Sequence, residues 1–214
     1  MAELSDIGLG SDVVSSDDVN VGTIVSLLVD ADGFTPRALV VKHEESLAGR
    51  VLAFEKYFTT DEVVIPITAV ASAARGVVHL SMDAQDVRRQ PLYLSYRRPE
   101  PTTGEAVVEE GQLITGGLGL PKAEEVANKS DGQIEIDRGE NVMLGTTGHR
   151  LGRVEDVLLD HGALIGVVIR PEGFFKRDVV LPITFISRAD DMALFASLTE
   201  SDIDQLKPFV DAES

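Results

Sequence analysis

The sequence predicts a mainly β protein made of two small antiparallel β-barrels in tandem, each followed by a short helix. Three observations predict it. The chain repeats itself once. Each copy is written in short β-branched runs divided by Gly, Asp and Pro. Each copy ends in a helical signal.

The repeat is carried by two blocks. Phe58 to Tyr93 aligns without a gap on Phe174 to Phe209 at an offset of 116. Both stretches contain Val-Val-(Ile/Leu)-Pro-Ile-Thr, from Val63 to Thr68 and from Val179 to Thr184. The pairs Phe58/Phe174, Ser81/Ser197 and Asp86/Asp202 are identical around it. A second block aligns Asp12 to Asp30 with Val142 to Asp160 at an offset of 130, with Gly22/Gly152, Leu28/Leu158 and Asp30/Asp160 identical. The change of offset gives the first copy 14 extra residues between Asp30 and Pro66.

The boundaries follow from the blocks. Residues 1–11 are a tail, 12–96 the first domain and 97–140 an acidic connector containing Gly and Pro. Residues 141–210 are the second domain and 211–214 a tail. The insertion falls at about His43 to Tyr57 and reads as a longer hairpin or a partner-contact loop. The 44-residue connector is either partly disordered or packed across a barrel, and Leu113, Ile114, Leu118 and Leu120 are apolar enough to dock locally.

The strands come from β-branched content and alternation. In the second copy these are Asn141 to Leu144, Leu151 to Asp160 with a bulge near Glu155, Ala163 to Ile169, and Asp178 to Ile183. Closure into a barrel would remove exposed edges. A helix is expected from Thr199, with Ile203, Leu206 and Val210 at helical spacing. Its counterpart runs from Ser81 to Val87 and is stopped by Pro91.

The repeated residues read as structural. Gly22 and Gly152 suit a strand position with a bulge or a close backbone approach. Asp30 and Asp160 end strands, where Asp favours a turn. Pro66 and Pro182 interrupt apolar runs and require an edge or bulge position. Thr68 and Thr184 are placed to bond backbone at a strand end. The unshared residues are the candidates for partner contact: Phe54 and Tyr57 in the insertion, and Phe175, Lys176 and Arg177 as a basic-aromatic spot in the second copy.

Both copies resemble the PRC-barrel family. The order strand, Gly22 or Gly152, strand ending in Asp, hairpin, then Val-Pro-Ile/Leu and a short exit strand is its pattern, and Leu151 to Asp160 with Val179 to Thr184 is the closer match. The resemblance implies a non-catalytic barrel that docks on another protein or an RNA–protein assembly. Members include the cytoplasmic part of the photosynthetic reaction-centre H subunit and the second domain of a ribosome maturation factor. This chain shows neither a membrane helix nor a separate N-terminal barrel of the ribosome-factor type.

Composition narrows the function classes. A hydrophobic fraction of 43% with 26% charged residues is globular rather than disordered. A net charge of −17 disfavours direct nucleic-acid binding, which rests on Lys and Arg neutralising phosphate. The absence of Cys excludes disulfides, thiolate metal sites and thiol nucleophiles. No run of about 18 apolar residues occurs, so membrane insertion is not expected, although peripheral association through a partner is compatible with this. Met1 to Asp6 lacks the apolar core of a signal peptide, so the expected location is cytoplasmic.

No catalytic, cofactor or metal motif emerges. His43, His79, His149 and His161 have no ligand spacing to one another, and Gly116-Gly117-Leu118-Gly119 lacks the flanking strand and helix of a phosphate cradle. The expectation is therefore a non-enzymatic interaction or assembly module with a protein partner or a second copy. The alternatives are a ribosome- or RNA-processing-associated factor docking through a protein, and a small-ligand binder or enzyme.

Overall fold

The computed structural model describes residues 7–43, 62–74, 76–97, 124–145, 147–172, 177–190, 192–198, 202 and 206–209. The first copy contains β1 (Asp12–Val14), β2 (Asn20–Asp30), β3 (Pro36–Lys42), β4 (Glu62–Pro66), β5 (Val70–Ala74) and β6 (Val77–Leu80). Helix α1 (Ala84–Val87) and β7 (Leu94–Arg97) follow. Then come β8 (Glu124–Ala127) and β9 (Gln133–Asp137). The second copy contains β10 (Asn141–Leu144), β11 (Arg150–Asp160), β12 (Ala163–Pro171), β13 (Val179–Pro182), β14 (Ile186–Asp190) and β15 (Ala193–Ala196).

The two copies have one topology. The strand orders are β4-β3-β2-β1-β6-β5 and β13-β12-β11-β10-β15-β14. All neighbours are antiparallel except β1–β6 and β10–β15, which are parallel. Among the described residues neither hydrogen-bonded path closes on itself, so the expected closed antiparallel barrel becomes an open, mixed sheet in each copy. The physical reason sits at the repeated prolines. Pro66 and Pro182 end the edge strands β4 and β13 at φ −61° and −59°, and each leads into a 3-10 turn, Ile67–Ala69 or Ile183–Phe185. Proline has no N–H for a further ladder bond, so pairing stops there and the chain crosses to the next strand.

The long strands are apolar on both faces where both faces are covered. In β2 the residues Leu27, Leu28 and Val29 are all buried. Leu27 and Val29 face a core shared by the two copies, together with Leu39, Ile65, Ile136, Val142, Ile169, Leu181 and Leu194. Leu28 packs on the other face with Ala38, Val40 and Tyr93, a second cluster bordered by Leu94 and Ala127 from the β7–β8 pair. Burial of each such aliphatic side chain is worth roughly 1.5–3 kcal/mol.

Register adjusts the repeat in two places. β2 and β11 each carry a bulge, at Val25 and at Glu155, where the ladder skips a residue. Val13 faces Gly22 and Val142 faces Gly152, so β1 and β10 match at an offset of 129, not 130; the β1–β2 hairpin is one residue shorter than its counterpart. The offset then falls from 130 at Leu28/Leu158 to 128 at Ala38/Gly166 and 116 at Pro66/Pro182. Two of the 14 extra residues therefore lie in the β2–β3 turn and 12 between β3 and β4.

The segments around the copies also differ from the sequence reading. Ile7 and Leu9, assigned to the tail, are 2% and 5% exposed. Within the segment read as connector, β8 pairs with β7, and β9 adds a seventh strand to the first sheet by pairing with β2. The apolar residues Ile134 and Ile136 of β9 supply the reason: both are buried. Leu113, Ile114, Leu118 and Leu120 lie outside the described residues. Helix α1 is a single turn capped by Asp83, whose carboxylate accepts from the Asp86 N–H at 2.8 Å. Of the second expected helix, Asp202 alone in residues 199–205 is described, and it is helical.

Candidate functional site

The junction of the copies is built from residues that neither sequence block included. Ile7-Gly8-Leu9-Gly10-Ser11 and Ile136-Asp137-Arg138-Gly139-Glu140 occupy equivalent places, at an offset of 129. Gly10 (φ +90°) donates its N–H to Ile24 O, and Gly139 (φ +96°) donates to Val154 O, both at 2.7 Å. The Ser11 and Glu140 carbonyls accept from the Ile24 and Val154 N–H groups at 2.9 Å. The segments also touch each other. Arg138 Nη2 donates to Leu9 O at 2.8 Å, and the Leu9 N–H donates to Asp156 Oδ1 at 2.6 Å. Leu9 and Arg138 are equivalent residues, so the two segments meet at matching positions of the repeat.

On one side of this junction lies a cavity of about 760 Å³, lined by Tyr93, Lys129, Glu135, Asp137, Arg138 and Glu140 with backbone of β2 behind them. The Tyr93 hydroxyl donates to Glu135. Both Glu140 carboxylate oxygens are shut off from solvent without a hydrogen-bond partner. Burial first, and the Asp137 carboxylate second, push the Glu140 carboxyl up to about 8. Burial and the charge of Glu135 likewise raise Asp137. Glu140 is therefore largely a neutral acid at pH 7, able to donate a proton in a hydrogen bond. Among the described residues no group of three or more His, Asp or Glu is placed to hold a metal ion.

A second feature lies on the second copy. Ile165, Phe185 and Met192 are 48%, 37% and 80% exposed. The equivalent residues of the first copy are Arg37, Ala69 and Gly76. Ile165 is the bulged residue of β12, and β12 contacts the 3-10 turn that carries Phe185. Arg37 instead donates from Nε to Asp30 Oδ2 at 2.8 Å, and the Arg37 guanidinium holds the Asp30 carboxyl below its usual range. Asp160, the partner of Asp30 in the repeat, accepts from the protonated Nδ1 of His161 at 2.6 Å.

The expected site residues distribute as follows. Phe54, Tyr57, Phe175 and Lys176 lie outside the described residues, and Arg177 is exposed. At Gly22 (φ +136°) a Cβ would stand 2.1 Å from Lys42 O, and at Gly152 it would stand 2.2 Å from Arg170 O. Pro66 and Pro182 precede the 3-10 turns, on which Thr68 and Thr184 are exposed. The carbonyl of the first turn is held instead by Ser81, whose Oγ donates to Ala69 O at 3.1 Å. Tyr93, Glu135, Asp137 and Glu140 were not singled out from sequence. Asp137 lies within, and Glu140 directly after, the short repeat Ile7-x-x-Gly10 and Ile136-x-x-Gly139, the one sequence signal that pointed there.

Comparison with curated proteins finds no match. The PRC-barrel domain family matches residues 4–85 and 138–201, two stretches that begin close to Ile7 and Arg138 and contain all twelve strands of the repeat. With both copies matched over most of their length, the chain belongs to the PRC-barrel domain family.

Proposed function

We propose that this protein is a non-enzymatic interaction or assembly module that docks on a protein partner or a second copy through its second domain. In this reading each open sheet curls into a barrel whose gap is spanned at the proline turn, and the protein works in the cytoplasm. One observation carries it: Ile165, Phe185 and Met192 are exposed where the first copy has Arg37, Ala69 and Gly76. Large apolar groups exposed where the equivalent positions of the other copy have none are a mark of a docking face; the first copy exposes Val19 and Leu92 at other positions. The test is light scattering on the native chain, with cross-linking and affinity capture from the source cell. A homodimer, or a defined partner captured in stoichiometric amount, is expected. A monomer that neither cross-links nor co-purifies with anything would overturn the proposal.

The cavity favours a second reading, a small-ligand site with Glu140, Asp137 and Glu135 facing a basic group. A screen of small amines should then raise the melting temperature of the native chain and not that of Glu140→Ala.

A further inference from the structure

Three residues carry the chain from the first sheet to the second. Strand β9 ends at Asp137 on the first sheet and β10 starts at Asn141 on the second, so Arg138-Gly139-Glu140 is the joint between them. The joint is fastened to β11. Gly139 donates its N–H to Val154 O, and the Val154 N–H donates to Glu140 O. The Arg138 guanidinium adds bonds to the backbone oxygens of Leu9 and Glu155. Within this fastening, both oxygens of the Glu140 carboxylate are closed off from solvent without a hydrogen-bond partner.

The charges around Glu140 come from both copies. Asp137 and Glu135 face it from β9, and Asp190 faces it from β14. Asp190 has Arg188 beside it at 3.7 Å, which offsets part of its charge. The cavity wall adds Glu62, Tyr93, Lys129 and Arg138. The Asp137 N–H favours the charged form of Glu140 without making a hydrogen bond of normal geometry to it. An ionised Glu140 is therefore a buried charge among three carboxylates, two on the first sheet and one on the second. Such a charge is costly in a closed structure, and a proton removes the cost.

The equivalent joint of the first copy lacks this arrangement. Gly10 and Ser11 make the same two backbone bonds, to Ile24 O and from the Ile24 N–H. The side chain in the place of Glu140 is Ser11, whose Oγ accepts from the Gly8 N–H at 3.2 Å. The backbone fastening is thus common to both copies, and the buried carboxyl belongs to the second joint alone.

We propose that Glu140 is a proton-controlled latch on the joint between the copies: protonated, it lets residues 138–140 close on β11, and ionised, it loosens them. The closed joint holds this carboxyl at about 8, and an opened joint returns it towards its ordinary 4.5. The closed state thus binds the proton more tightly. Closure is strongest below about pH 4.5, weakens as pH rises towards about 8, and is constant above that. Asp137, Arg138 and Glu140 also line the cavity, so its wall loosens with the joint.

Amide hydrogen exchange on the native full chain tests this, with the first joint as the internal control. After correction for base catalysis, protection of the Gly139 and Val154 amides should fall at least tenfold between about pH 5.5 and pH 8, then level off. The Gly10 and Ile24 amides should keep their protection over the same range. Glu140→Gln, a neutral side chain of the same shape, should make protection at Gly139 and Val154 independent of pH. Flat protection at those two amides in the native chain, or an equal fall at both joints, would overturn the proposal without any variant. A fall that survives in Glu140→Gln would also overturn it, because another carboxylate would then be responsible.

Discussion

The two copies share a topology, four register irregularities and a strand glycine pressed against a neighbouring carbonyl, yet they end in different states. The first copy has its outer face covered by Tyr93 and the β7–β8 pair, and its β2 edge taken by β9. The second has Ile165, Phe185 and Met192 exposed and, among the described residues, no strand on the β11 edge. What the copies hold in common makes the sheet; what they do not share determines which surface remains available. Among the described residues, strands of the joining segment cover the outer face and the β2 edge of the first copy alone.

The shared feature should be the most fragile. At Gly22 and Gly152 an added Cβ would collide with a carbonyl oxygen of the neighbouring strand, at 2.1 and 2.2 Å. Gly22 also has φ +136°, a conformation L side chains rarely adopt. Gly22→Ala should cost about 3–5 kcal/mol, from overpacking plus backbone strain. Gly152→Ala, with the collision alone, should cost about 1–3 kcal/mol. Urea unfolding of the full chain measures both. Equal costs would show that the φ difference between the copies has no energetic weight.

The next test concerns the junction. Ile7 and Ile136 occupy equivalent places in the common core, at 2% and 0% exposure. Ile7→Ala and Ile136→Ala should each destabilise by about 2–4 kcal/mol. A true tail or connector residue would lose well under 1 kcal/mol on the same change. Similar values at both positions would support the equivalence of the two segments; a large difference would break it.

These residues also show how far the sequence could be read. The core of each copy was legible because it repeats over long blocks: Val63 to Thr68 against Val179 to Thr184 needs no alignment method. The junction was not, because its repeat is short. Between Ile7-Gly8-Leu9-Gly10-Ser11 and Ile136-Asp137-Arg138-Gly139-Glu140 only the Ile and the second Gly are identical, and the offset there is 129. Both segments are also rich in Gly or charge, which reads as linker. Their burial comes from one Ile each, with Leu9 added in the first. Barrel closure is hard to read from sequence for another reason. Alternation and turn residues predict strands, whereas closure depends on whether the last edges meet, and that is decided by the twist around Pro66 and Pro182. The cavity was hidden because Tyr93 lies 42 residues before Glu135, and the two meet only when β9 joins β2.

Position 140 offers a graded comparison, since its counterpart is Ser11. Ser11 accepts a hydrogen bond from the Gly8 N–H at 3.2 Å, whereas the Glu140 carboxylate has no such partner. The Glu140 carboxyl is pushed up to about 8 from its ordinary 4.5. The folded state therefore binds this proton more tightly than the unfolded state. Stability is unaffected below pH 4.5, falls as pH rises from 4.5 to about 8, and levels off above. The loss is on the order of a few kcal/mol across that window. Glu140→Ser should flatten this slope and raise stability at pH 8 by about 1–3 kcal/mol, while changing little at pH 5. Chemical unfolding at the two pH values measures it. An unchanged slope would mean that Glu140 is solvated and charged in the folded state.

The smallest expected effect on stability is at the pair Arg37 and Ile165, and it separates fold from function. Ile165→Arg transplants the residue of the first copy onto the same bulge of the second. The new guanidinium would meet Asp160 as Arg37 meets Asp30. Both positions are exposed, so folding stability should stay within about 0.5 kcal/mol of the native chain. Association is where the change should appear. If the face of the second copy docks a partner or a second copy, Ile165→Arg should weaken that association at least tenfold, because a charge would have to be desolvated in an apolar contact. The reverse change, Arg37→Ile, should leave native association intact and add concentration-dependent self-association, because the bulge of the first copy would then expose the same apolar residue as the bulge of the second. Light scattering over a dilution series reads both variants. Association unaffected by Ile165→Arg would remove this residue from the docking face, leaving Phe185 and Met192 to carry it.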